Sequence, residues 1–295
     1  MKKAFLQLHI AVFLAGFTAI LGKLIGLNEG LLVWYRLFFS IVVLGIFLSI
    51  KKSHQRIARR DFLNIACVGL ILAFHWVAFY GSVKYANASV AVVCISAAGF
   101  FSAILEPILM KKKVVVIELL LGLIAMAGIY IIFDFHPHYK VGIIFGLIAA
   151  IGSAVFPIYN KKLLNRFEPE VLTLYEFIGG LLFLTLLLPI YFLKFPPAYY
   201  WPTATDYLWL LILTLLCTVI AFLFQLNALR RISAFTSNLT YNLEPLYGII
   251  LAFLIFKEGN LLKPHFYYGL SLIMLSISLQ MVRVYYHSKI KEKQS

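Results

Sequence analysis

Apolar residues fall into ten stretches along this chain, separated by short polar and basic segments. Each stretch runs about 20 residues, the length an α-helix needs to cross a hydrocarbon core of about 30 Å. The pattern predicts helices at 4–25, 29–50, 62–82, 87–110, 114–133, 141–160, 170–193, 207–229, 233–256 and 264–286. The connections are too short to hold a soluble domain, so the expected fold is one all-α integral membrane unit.

The last five stretches echo the first five. Val33-Trp34-Tyr35-Arg36 faces Thr173-Leu174-Tyr175-Glu176, Asp61-Phe62-Leu63 faces Asp206-Tyr207-Leu208, and Phe79 faces Phe224. Five is odd, so a second copy must enter the membrane from the opposite side. The expectation is two inverted five-helix repeats, 1–136 and 137–295, with a binding site near the midplane between them.

Composition supports the membrane reading. The chain is 62% hydrophobic and only 13% charged, with a mean hydropathy of +0.93; soluble domains carry about 25% charged residues. The net charge of +14 would suit nucleic acid, but its placement argues otherwise. With Met1 in the cytoplasm, the segments on that side hold Lys51, Lys52, Arg56, Arg59, Arg60, Lys111, Lys112, Lys113, Lys161, Lys162, Arg166, Arg230 and Arg231. This is the positive-inside pattern, which sets topology with both termini cytoplasmic. Cys67, Cys94 and Cys217 all lie inside apolar spans, which argues against a disulfide framework or a zinc site. There is no H-E-x-x-H, G-x-S-x-G or phosphate-binding loop, so neither an enzyme nor a primary pump is expected, and no cofactor. A non-transporting receptor or structural membrane protein is the alternative class, but it gives no reason for the repeat.

Ionisable groups inside a membrane are costly, about 2.5–3.5 kcal/mol each on insertion scales, and so mark candidate sites. Glu244 stands near the middle of the ninth span, beside Pro245 and near Asn238, Tyr241 and Asn242. A carboxylate beside an opened helix can bind a cation or amine, or exchange a proton; its bland alternative is a structural hydrogen bond across a helix pair. Arg36 and Glu176 are repeat equivalents of opposite charge, each roughly 10 Å below its own surface. They can meet substrate or gate a cavity, or Arg36 can snorkel to the headgroups. His75 precedes Trp76, and Tyr80 falls one helical turn later on the Trp76 face; the three can stack on a solute or simply pack. Gly179-Gly180 suits close helix packing or a hinge, and the aromatic segment 195–202 suits an interfacial belt or a lid.

The stretch Ser233–Leu246, with its small polar residues and Pro245, followed by Leu254-Ile255-Phe256-Lys257-Glu258, resembles the EamA-type members of the drug/metabolite transporter superfamily. In the first half, Gly99 takes the place of that proline and Lys112 that of the terminal glutamate. The resemblance covers nearly the whole chain. It implies a secondary transporter of the bacterial inner membrane, an exporter or exchanger of a small metabolite such as an amino-acid-like solute. It also implies a cavity lined by spans one to four and six to nine. The expected partners are that solute, a coupling proton and the lipid bilayer.

Overall fold

The computed structural model describes residues 2–52, 55, 57–111, 113–133, 139–232, 237, 240, 241, 243–256 and 264–294, with backbone alone at 132, 133, 280 and 284–294. The described secondary structure is helical throughout. In chain order the helices are α1 (Lys2–Leu24), α2 (Glu29–Lys51), α3 (Arg59–Tyr85), α4 (Ala88–Met110), α5 (Val116–Phe133), α6 (Lys140–Leu163), α7 (Pro169–Phe192), α8 (Ala204–Leu229), α9 (Glu244–Phe256) and α10 (Pro264–Gln294). Among the described residues eight are long and apolar enough to cross a membrane; Val116–Ile131 of α5 and the whole of α9 are apolar but shorter. Part of the predicted span 233–256, including Asn238 and Asn242, lies outside the described residues. Leu186, Ile190, Leu193 and Leu254 stand on the surface, as a protein solvated by lipid requires.

Local chemistry sets the helix ends. The Asn28 side chain accepts from Gly30 N to start α2, and Asn87 accepts from Val90 N to start α4. Thr203 and Asp206 form a reciprocal capping box on α8. Lys52 and Lys111, at φ 50° and 51°, end α2 and α4 in the left-handed conformation.

Helices of the first half pack chiefly on helices of the second: α3 on α6 and α7, α2 on α7, and α1 on α8 and α9. The crossing of α3 with α7 depends on glycine. A Cβ at Gly69 would lie 1.9 Å from the Glu176 carbonyl oxygen, and one at Gly180 would lie 2.7 Å from that of Gly69. The Gly179-Gly180 pair therefore serves close packing. α5 and α10 pack on each other at the side of the bundle, where Arg283 bonds Glu118 at 3.2 Å.

The two ends of the bundle are closed differently. At the end that carries Lys3, Lys51 and Arg230, the ties are solvated ion pairs: Lys51–Glu170 at 2.8 Å, Arg230–Glu168 at 3.0 Å and Arg166–Asp61 at 2.8 Å. At the opposite end the ties centre on two buried carboxylates, Glu29 and Asp206. Tyr191 and Tyr85 both donate to Glu29, at 2.5 and 3.4 Å. Lys84 donates to the Ile25 carbonyl, and Asn28 to that of Phe195. Asp206 accepts from Gly26 N at 2.7 Å, from the Tyr199 hydroxyl at 2.9 Å, and from Thr203 N and Oγ1. Burial, with the carboxylate beside it second, pushes the Tyr199 hydroxyl up to about 12. The aromatic segment 195–202 is thus tied to the first half, with Tyr35 donating to the Tyr200 carbonyl, while the Tyr200 and Trp201 side chains stay exposed.

Candidate functional site

Several helix irregularities meet in the middle of the bundle. α1 loses its regular turn at Phe17, and Thr18 donates back to the Ala15 carbonyl at 2.6 Å. α4 breaks at Ser96 and Ala97. α8 widens into a π-helix over Leu215–Ile220. α9 begins at Glu244 after a turn at Leu243, so Pro245 occupies its first turn, where a missing N–H costs nothing; Ser237, Thr240 and Tyr241 before the turn are helical as well. Membrane proteins tolerate such breaks where they line a cavity.

A cavity of about 80 Å³ sits there, lined by α1, α2, α3, α4, α6, α8 and α9, with Arg36, His75, Trp76, Gln225, Tyr241 and Glu244 among its walls. α7 contributes nothing to the lining, contrary to the expectation; Phe177 of that helix instead backs Trp76 and Phe222, at ring separations of 5.7 and 5.3 Å. α5 and α10 are likewise absent from it.

Arg36 is 2% exposed and does not snorkel. Its Nε donates to Thr218 Oγ1 at 2.7 Å, Nη1 to the Tyr80 hydroxyl at 2.9 Å and Nη2 to the Cys217 carbonyl at 3.3 Å. The guanidinium carbon lies 3.6 Å from the Trp76 ring centroid. A desolvated cation over an indole gains about 2 kcal/mol. The π-helix makes this cradle. Ala221 N bonds back to Leu216, which leaves the Cys217 carbonyl to accept from Arg36. Thr218 donates its own hydroxyl hydrogen to Leu213, five residues back, so its lone pairs face the guanidinium. Gly22 of α1 makes room for Tyr80, whose ring a Cβ there would meet at 2.3 Å.

Glu244 faces the same cavity and feels the Arg36 charge, yet no ion pair within 4.0 Å joins them and no described side chain hydrogen-bonds the carboxylate. His75 Nδ1 lies 2.7 Å from the Ala149 carbonyl. That contact needs Nδ1 to carry the hydrogen and leaves Nε2 as an acceptor.

Residues 2–134 and 140–282 each match the EamA-like transporter family. The chain belongs to the EamA-like transporter family. It is 21% identical over 275 residues to an uncharacterized transporter of Clostridium kluyveri, covering 88% of this chain and 87% of that one. The uncharacterized transporter YetK of Bacillus subtilis is 25% identical over 273 residues, covering 86% and 80%. A solved crystal structure superposes with a TM-score of 0.67 at 14% identity, over 96% of this chain and 97% of its own, which shows the fold. The EamA-like chain is a multi-pass membrane protein.

Of the residues singled out from the sequence, the EamA-like fold brings Arg36, His75, Trp76, Tyr80, Tyr241 and Glu244 together. Asn238 and Asn242 lie outside the described residues. Glu176 is fully buried away from the cavity, facing Asn160 of α6. Lys23 lies 4.2 Å over the Phe256 ring. Thr218 and the Cys217 carbonyl were missed; a threonine in mid-span was the available signal. Gln225 lines the cavity, while Asn227 bonds the Leu223 carbonyl.

Proposed function

We propose that this chain is a secondary transporter that moves a small organic solute, amino-acid-like in its charges, across the bacterial inner membrane by alternating access. The observation that carries the reading is the buried cavity between the halves, with Arg36 on one wall and Glu244 on another. Opposite fixed charges over an aromatic wall suit a solute that carries both signs. Arg36 uses three of its five N–H groups on the protein and keeps two for a ligand. Glu244 offers an acceptor for an amine or a proton, and His75 and Trp76 form the flank. The solute thus meets Arg36, His75, Trp76, Tyr241 and Glu244, with Tyr80 holding the guanidinium in place.

The architecture in this reading is ten crossings as two inverted repeats, 1–136 and 137–295, with both termini cytoplasmic and net movement outward or in exchange. Basic residues at one end of the bundle support that orientation. A reporter fused after Pro197 should respond as extracytoplasmic and one fused after Arg60 as cytoplasmic; the reverse labelling would overturn it.

The decisive test of the site is Glu244→Gln in proteoliposomes, with flux of a labelled metabolite panel and folded protein measured on the same samples. A hydrogen bond to a charged group contributes about 1.5–3 kcal/mol, so flux per folded molecule should fall roughly ten- to a hundredfold. Normal flux from a well-folded variant would remove Glu244 from the mechanism.

A further inference from the structure

We infer that Glu176 and Asn160 form a proton-binding site of their own, separate from the central cavity. Both residues are 0% exposed. Neither oxygen of Glu176 and neither polar atom of the Asn160 amide makes a hydrogen bond of ordinary geometry, although the amide is the polar group that adjoins the carboxyl. A native interior leaves few buried polar groups unpaired, and each asks for an explanation. Two facing residues with all four polar atoms unpaired are a site set for something small.

Among the described residues none supplies a counter-charge to Glu176. From α3, Ala66 and Gly69 press on the α7 backbone around Glu176 and Gly179. From α6 comes Asn160. Several charged groups of the neighbouring helices have partners of their own, Asp206 of α8 among them. Arg36 of α2 is held by Thr218 and Tyr80, and His75 of α3 lies against the Ala149 carbonyl. Lys161 of α6 donates to the Leu229 and Ile232 carbonyls. Asp61 of α3 pairs with Arg166, and Lys51 of α2 with Glu170. An isolated carboxylate in such a place is costly enough that the group neutralises instead. In this packing Glu176 is a carboxylic acid, and its O–H is the stored proton.

A way out lies next door. A surface groove of about 370 Å³ between α3 and α6 is lined by Asn64, Cys67, Val68, Tyr159 and Lys162, the chain neighbours of Gly69 and Asn160 included. Parting of that seam would wet the pair. The Glu176 O–H bond then breaks, its proton goes to water, and the Asn160 amide donates to the carboxylate left behind. Coupling of this proton to solute movement rests on the transporter reading; the site does not.

Infrared titration of the full chain in lipid bilayers, in H₂O and D₂O, tests it. The wild type should show a protonated-carboxyl band that shifts in D₂O and disappears only as pH rises above the ordinary glutamate value of about 4.3. Glu176→Gln should abolish that band and Glu244→Gln should retain it. Glu176→Asp and Asn160→Leu should each move it, which keeps the test open should Glu176→Gln fold poorly. Identical bands in wild type and Glu176→Gln, or a Glu176-dependent band that neither exchanges nor titrates, would overturn the inference. Loss of flux in Glu244→Gln bears on the cavity alone, so the two readings fail separately.

Discussion

Asp61 and Asp206 align in the two halves of the sequence, each at the start of a membrane helix, and their settings are opposite. Asp61 meets Arg166 through two contacts of 2.9 and 2.8 Å, but the arginine side chain is 62% exposed. Asp206 is 2% exposed and accepts from Gly26, Tyr199 and Thr203. A solvated ion pair contributes about 0.2–1 kcal/mol. A buried acceptor is another matter, because each donor orphaned by its loss costs about 1–3 kcal/mol. Two aspartates at similar places in the sequence thus sit in a loose tie at one end of the bundle and a firm one at the other. The ion pairs at the basic end are individually weak, while the acceptors at the opposite end are each shared by several donors.

The strongest way to break this comparison is Asp206→Ala. It should orphan the Gly26 and Thr203 amides and the Tyr199 hydroxyl, and lower the melting temperature in detergent far more than Asp61→Ala does. Equal losses would mean that the two ends are alike. Next in size is Glu29→Gln, which weakens the acceptor shared by Tyr85 and Tyr191. A single cysteine placed near Tyr85 should then label faster, with no change for one placed near Glu170.

Ionic strength sharpens the contrast further. Exposed charges are screened beyond about 8 Å at 0.15 M salt, so added salt should speed labelling at the basic end by a modest factor and leave the other end unmoved. The smallest effect concerns Tyr199. Its hydroxyl contributes stability that is present below the ordinary tyrosine value of about 10 and is lost as pH rises from there toward about 12. The melting-temperature gap between wild type and Tyr199→Phe should therefore narrow only above about pH 10.

Much of the site was legible in the sequence because membrane burial makes polar residues conspicuous. Arg36, His75 and Glu244 stand out against apolar runs, and the four-residue spacing of Trp76 and Tyr80 does put both on the guanidinium. The cradle was not legible. Thr218 lies 182 residues from Arg36 in the chain, and the carbonyl that completes the cradle exists because of a backbone detour that no glycine or proline announces. Pairing Arg36 with Glu176 by repeat position did not give their surroundings: Arg36 lines the cavity and Glu176 does not. Neighbours come from whichever helix crosses at that level, and those crossings differ between the halves.

The widened turn over Leu215–Ile220 also acts as an indexing device. A π-turn takes in one residue more than an α-turn, so everything beyond it is rotated by roughly 100° relative to an unbroken helix. Ala221, Phe222 and Gln225 reach the cavity because of that offset. Removing any one residue between Leu215 and Ile220 would leave composition and hydropathy almost untouched, yet would turn an entire half-helix by roughly 100° and take Ala221, Phe222 and Gln225 off the cavity. Along α8, the count of residues carries as much information as their identity.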